Sequence, residues 1–178
     1  MLGAMDQHYL ESSYREKLIE HLFVGELLKH SWWIRNCRLE IGRPEVDNSG
    51  YDLIAEEYGV VRHIQLKATR LGGRAAQQNV HVALGAKPSG CVVWIMFDEQ
   101  TLALRPFLFF GGEAGRPLPD LSTFKVARHT KADSTGYKAE RQRIRSVPKR
   151  LFRIYETIES LYDALFGAER GDDSSGSY

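Results

Sequence analysis

Cysteine is nearly absent from this chain. Only Cys37 and Cys91 occur among 178 residues, far apart and without CxxC or Cys/His metal spacing, which argues against a zinc module and a disulfide scaffold alike. Both read as buried free thiols. Long apolar runs are missing too: the longest, Cys91 to Phe97, falls far short of the ~20 residues that span a bilayer. The N-terminus has no basic region followed by an apolar stretch. A cytoplasmic protein with no membrane partner is therefore expected. A strong excess of one charge is also lacking, since the net charge is +1. With 43% hydrophobic and 26% charged residues, composition suggests neither disorder nor a membrane protein. Internal repeats and a dividing linker are absent as well. The expectation is one domain over residues 1–170 and a disordered tail over 171–178.

What is present is patterned. From about Tyr9 to Trp32 the chain has helical periodicity, with Ile19, Leu22, Phe23, Glu26 and His30 in one narrow stripe at 100° per residue. Trp33 to Glu40 reads as a first strand, and Gly42, Pro44, Asn48 and Gly50 mark a loop. Tyr51–Glu56 and Val60–Arg70 read as two strands joined at Tyr58-Gly59, a plausible hairpin turn although Tyr is not a favoured partner for Gly. Arg70 to Gln78 reads as a polar, Gly-rich loop, and Val80 to Leu84 alternates weakly. Cys91–Phe97 (CVVWIMF) has the continuous apolar character of a strand covered on both faces, and Leu102–Phe110 is a further strand. Leu151, Ile154, Tyr155, Ile158, Leu161, Tyr162, Leu165 and Phe166 keep helical spacing, with Ser146 and Pro148 near the start and Gly167 at the end.

A two-residue loop at Tyr58-Gly59 puts Glu57 opposite Val60, and Asp52 then lies opposite Gln65. Alternation places Asp52, Gln65 and Lys67 on one face, and Leu53, Ala55, Ile64, Leu66 and Ala68 on the other. A slip of one residue would destroy this grouping. The polar face gathers a carboxylate, an amide and an ammonium, which is either a reactive site or ordinary surface. Glu26 is the second signal, because a carboxylate on an apolar helical stripe is costly to bury unless it is paired or binds a cation. Either a metal satisfies it, or the stripe is shallow and Glu26 snorkels to solvent or pairs with a nearby Arg.

These residues resemble the PD-(D/E)XK superfamily, which includes restriction endonucleases and Holliday junction resolvases. The likeness lies in a helix bearing Glu (FVGELL), a Gly-x-Asp at a strand start (GYDL) and a strand carrying an amide-apolar-Lys triplet (IQLKA). It covers roughly Ile19 to Thr69. What it implies is an α/β fold of restriction-endonuclease-like architecture, a mixed β-sheet flanked by helices and followed by a C-terminal helix. It also implies hydrolysis of nucleic-acid phosphodiesters, with DNA as the expected substrate and Mg²⁺ or Mn²⁺ as cofactor. Glu26 and Asp52 would hold the metal, Gln65 would fill the second acidic position, the Leu66 carbonyl would be a further ligand, and Lys67 would orient the attacking water. Mg²⁺ suits such a hard-oxygen set, and an adjacent Lys can stabilise developing negative charge. Gln65 departs from the usual Glu or Asp, and its neutral amide leaves open a catalytically inactive domain that binds nucleic acid or protein. Asp47 could add a carboxylate or simply form an Asx-turn.

The third signal is charge polarity. Lys125 to Arg153 carries ten Lys or Arg against two acids, whereas Ile154 onward carries six acids against one Arg. Clustered bases of this kind bind phosphate backbones, or alternatively pair with the acidic C-terminal part. Lys138, Arg141, Arg143 and Arg145 are the candidates there, and Arg70, Arg74 and Lys87 could extend the track. His63 on the polar face could assist or be plain surface. Trp32, Trp33 and Trp94 read as core, and a homodimer is a candidate assembly.

Overall fold

The computed structural model describes residues 4–45, 49–128 and 139–168. Asp47, Lys138 and the tail at 171–178 lie outside the described residues. The chain starts with helix α1 (Ala4–Trp33), whose buried stripe is Ile19, Phe23, Leu27, His30 and Ser31. The helix ends where the N–H groups of Ile34 and Arg35 share the His30 carbonyl and Asn36 takes φ 47°, the left-handed stop that Asn tolerates. The expected strand at Trp33–Glu40 is therefore a connector. The first strand, β1, is Glu40–Gly42.

Strands β2 (Leu53–Glu57) and β3 (Val60–Arg70) form the hairpin in the expected register, Leu53 opposite Ile64 and Glu57 opposite Val60. Tyr58 and Gly59 have φ of 48° and 81°, the double positive φ that the right-handed twist of a two-residue hairpin requires. Tyr58 adopts it with its side chain exposed. The chain then makes β4 (Gln77–His81) and a 3₁₀ turn (Val82–Ala86), and returns as β5 (Gly90–Phe97), parallel to β3. β6 (Leu104–Gly111), β7 (Val126–Arg128), β8 (Glu140–Pro148), β9 (Arg153–Tyr155) and helix α2 (Ile158–Phe166) follow.

Two sheets result, one ordered β1-β2-β3-β5-β6-β9 and a smaller one ordered β4-β8-β7. The class is the expected one, α/β with a mixed sheet and a C-terminal helix. Both helices pack on one face of the large sheet, where Phe23, Leu27, Leu161 and Leu165 meet Leu53, Ile64, Val93 and Ile95. The other face is closed by the small sheet and adjoining loops, through Val80, Leu84, Leu121, Val147 and Phe152 against Val92, Trp94 and Phe110. All eight β5 residues are buried, because alternate side chains enter the two cores. This is why Cys91–Phe97 is apolar without a break.

The last helix is shorter than its spacing predicts. Leu151 and Ile154 are exposed, and Arg153–Tyr155 instead pairs with β6 as an edge strand. Thr157, in extended backbone, caps the true start by accepting the Ser160 N–H, which satisfies an otherwise orphaned donor. Gly167 ends the helix at φ 94°. Among the tryptophans only Trp94 is core, its indole N–H donating to Thr69 Oγ1 at 2.9 Å. Trp32 and Trp33 are 63% and 76% exposed, because at 100° per residue both fall outside the buried stripe of α1.

Candidate active site

β2 is five residues long and β3 eleven, so β3 continues with one edge unpaired by β2. Asp52 stands at the point where β2 begins. Its N–H donates to the Ile64 carbonyl at 2.8 Å, continuing the ladder, and its Oδ2 accepts from the Leu66 N–H at 2.6 Å. The carboxylate thus does for Leu66 what another strand residue would have done. In an extended strand the N–H and C=O of one residue point to the same edge, so the Leu66 carbonyl also lies on the edge past the end of β2.

A cleft of about 520 Å³ opens there, lined by Asp52, Leu66 and Lys67 from the hairpin, Glu16 and Glu20 from α1, and Gln78 from β4. The structure therefore brings Asp52, Leu66 and Lys67 together on the cleft. Glu26 is not brought to them, and Gln65, although across the hairpin from Asp52, does not line the cleft. Gln65 is buried, and its Oε1 accepts from the His81 N–H at 3.3 Å. Its amide ties β3 to the end of β4, where His81 Nδ1 in turn accepts from Ala83 N–H and starts the 3₁₀ turn. The residue expected as the second metal ligand thus has its amide oxygen engaged by the last residue of β4.

Glu26 has a 43% exposed side chain, 3.7 Å from Lys29 one turn on, and lines a separate hollow with His30, Trp33 and Ile158. The reason is rotational. The buried stripe Ile19, Phe23, Leu27, Ser31 is centred about 80° from Glu26 at 100° per residue, whereas Glu20 lies within that stripe, about 40° from its centre on the other side. Glu20 faces the cleft with a 9% exposed side chain, Oε2 at 2.8 Å from Lys17 and Oε1 at 3.0 Å from Arg43. The pattern that marked Glu26 as a carboxylate beside apolar positions applies equally to Glu20, which shares its face with Phe23 and Leu27. Glu16 and Gln78 carry no comparable signal, because only the tertiary fold sets them across from Asp52.

The basic candidates are dispersed. Arg70 pairs with Glu99 at 3.2 Å, Arg74 is exposed, and the Lys87 ammonium sits 5.1 Å from the centre of the Tyr51 ring. Arg141 and Arg143 are exposed on β8, whereas Arg145 is half-buried with Nη1 bonded to the Gln142 and Ile144 carbonyls. His63 packs edge-on against Tyr51 at 5.0 Å. Burial, and then the Lys87 charge, hold its pKa below the ordinary histidine value, so the ring is neutral near pH 7. Both thiols are buried and stay protonated near pH 7: burial is the main cause that pushes Cys91 up to about 12, and burial with the adjacent Glu57 pushes Cys37 to about 11.

No group of three or more His, Cys, Asp or Glu able to hold a metal occurs among the described residues. Mg²⁺ needs fewer, since one or two carboxylates with carbonyls, waters and a phosphate oxygen suffice. Asp52, the Leu66 carbonyl, the acids of α1 and the Gln78 amide are all hard oxygen donors on one cleft, and this donor set fits Mg²⁺ or Mn²⁺. Set against family models, curated proteins and solved structures, the chain matches none. No helix among the described residues is long and apolar enough to cross a membrane.

Proposed function

We propose that the chain is a metal-dependent nuclease of the PD-(D/E)XK type, hydrolysing phosphodiester bonds of nucleic acid, with DNA as the substrate and the cytoplasm as its place of action. The observation that carries this reading is the junction of Asp52 with Leu66 and Lys67 on one cleft, faced by two acids of α1. Asp52 and the Leu66 carbonyl would hold the ion, with Glu20 or Glu16 in the role first expected of Glu26. Bound there, Mg²⁺ or Mn²⁺ would lower the pKa of a water and offset charge on the phosphate. Asp52 is held in place by the Leu66 N–H and so meets the substrate without reorganising. Lys67 sets an ammonium against the phosphate oxygens, where negative charge grows as water adds to phosphorus and the P–O bond to a sugar oxygen breaks. Arg141 and Arg143 would add phosphate-backbone contacts.

Cleavage assays on single-stranded, duplex and branched DNA with Mg²⁺ and Mn²⁺ test this. Wild-type protein is expected to cut, and Lys67→Ala to lose cleavage while its affinity for nucleic acid stays within about 2-fold, since the lysine acts mostly on the transition state. Metal-independent cleavage, or full activity in Lys67→Ala, would overturn the assignment. A second reading, a silent domain that binds nucleic acid without cutting it, is favoured by the engagement of Gln65 with His81. Binding without cleavage by any wild-type preparation would establish it. If the protein dimerises, the exposed Leu28, Trp32, Trp33 and Ile34 at the end of α1 are the surface to test.

A further inference from the structure

The cleft at Asp52 does not stop at Lys67. Glu16, Ile19 and Ala68 line both it and a second hollow of about 430 Å³, so the two form one groove between α1 and the open edge of β3. At its far end Arg15 from α1 and Arg70 from the end of β3 converge on one carboxylate. Arg15 Nη1 lies 3.8 Å from Glu99 Oε1, and Arg70 Nη1 lies 3.2 Å from Glu99 Oε2. All three side chains are substantially exposed, at 49%, 65% and 44%. Glu16 and Glu99 are the acids lining this end.

We propose that the Arg15–Arg70 end of the groove is a second phosphate subsite, which takes a backbone phosphate of the same strand whose scissile phosphate faces Lys67. The inference rests on the reading of Asp52 and Lys67 as the reacting site. Lys67 and Arg70 are three residues apart, about 10 Å of backbone along β3, and leave the strand on opposite faces. The groove joins them along the open edge of the strand, where each lines one end, and that length corresponds to no more than three phosphates of a duplex strand at ~3.4 Å each. Two planar guanidiniums drawn to one carboxylate present the forked donors that also suit a phosphate's oxygens. Glu99 occupies the place of that anion. Its exposed ion pairs are weak and exchangeable, so a phosphate can displace it. The subsite would fix which way the strand runs through the groove and how much of it must lie on one side of the cut.

The test uses the full chain carrying Lys67→Ala, without divalent metal, and fluorescein-labelled oligothymidylates of two to eight nucleotides followed by anisotropy at several salt concentrations. Affinity is expected to step up once the strand is long enough to reach the arginines. Adding Arg15→Gln and Arg70→Gln, both at exposed positions, should remove that step and reduce the salt slope by about 0.7 to 1.4, one or two single-strand contacts at ~0.7 each. Glu99→Gln should strengthen binding of the longer strands. An unchanged length dependence and slope in the double-arginine protein, or no binding by any variant, would overturn the subsite. Cleavage by wild-type protein with an unchanged slope sinks the subsite alone. Arginine-dependent binding without any cleavage keeps the subsite and sinks the nuclease reading.

Discussion

Arg62 is fully buried, and among the described residues no carboxylate forms an ion pair with it. Its Nε donates to the Leu165 carbonyl at 2.6 Å, and its Nη2 to the Ala164 and Gly112 carbonyls at 3.1 and 3.2 Å, with Nη1 at 3.5 Å from the Arg116 carbonyl. Ala164 and Leu165 belong to the last turn of α2, where carbonyls lack intrahelical partners and the helix dipole favours a cation. Burial lowers the Arg62 pKa, but a guanidinium stays charged. Replacing it with Met keeps the apolar stem and strands the two helix-end carbonyls, at ~1–3 kcal/mol each for a buried unsatisfied acceptor. Relief of the desolvation of a buried cation offsets part of this. The net expectation for Arg62→Met is a loss of about 2–4 kcal/mol, a large part of a typical 5–15 kcal/mol. Arg62→Lys should lose less, since an ammonium keeps the charge but cannot reach all the carbonyls. Urea unfolding followed by circular dichroism measures both. A midpoint for Arg62→Met equal to or above wild type, at unchanged slope, would refute the argument that α2 depends on this cation.

Isothermal titration with Mn²⁺ should show tighter binding in Gln78→Glu, which adds charge to the cleft, and little change in Gln65→Glu, whose oxygen faces His81; the reverse ranking would return Gln65 to the metal site. Arg141→Gln with Arg143→Gln should lower the salt slope of duplex binding by about 1.8 at ~0.9 per contact, and an unchanged slope would remove β8 from the DNA interface. Because the folded-state pKa of His63 is depressed, the unfolded chain takes up the proton first, so His63 favours folding above its unfolded pKa of about 6.5 and loses that contribution as pH falls below it. His63→Phe should flatten stability between pH 7 and 5, and an identical pH profile would show that this ring does not titrate on unfolding.

The hairpin was legible in the sequence because one register satisfies both the alternation of Leu53, Ala55 and Ile64 and the turn at Tyr58-Gly59. Asp52 and Lys67 followed from it directly. Arg62 was not legible, although it shares the apolar face of Leu53 and Ile64: alternation marks it as inward, but only the end of α2, 102 and 103 residues away along the chain, supplies its acceptors. Glu26 was misread because a stripe drawn through Leu22 is rotated from the buried one through Leu27, and periodicity alone does not fix the stripe's centre. Arg153–Tyr155 shows the converse limit, since a three-residue edge strand is too short to break the spacing of the helix that follows. Gln65 looked like a ligand because its place on the strand was right; where its side chain ends is decided by β4 (Gln77–His81), which the sequence pattern divides between a loop ending at Gln78 and a weak alternation over Val80–Leu84, part of it in fact the 3₁₀ turn.

The placement of the three tryptophans gives the protein an intrinsic optical readout. Trp32 and Trp33, open to solvent on α1, should emit at long wavelength and be quenched by iodide in the folded state. Trp94 is fully buried against Phe152 at 5.5 Å and should emit at shorter wavelength, out of reach of the quencher. Its indole N–H is bonded to Thr69, two residues beyond Lys67 on β3, and Thr69 itself lines the groove. The shielded component of the emission therefore watches the strand that carries the lysine, and a strand of nucleic acid settling along β3 would perturb one chromophore while leaving the other two as an internal reference.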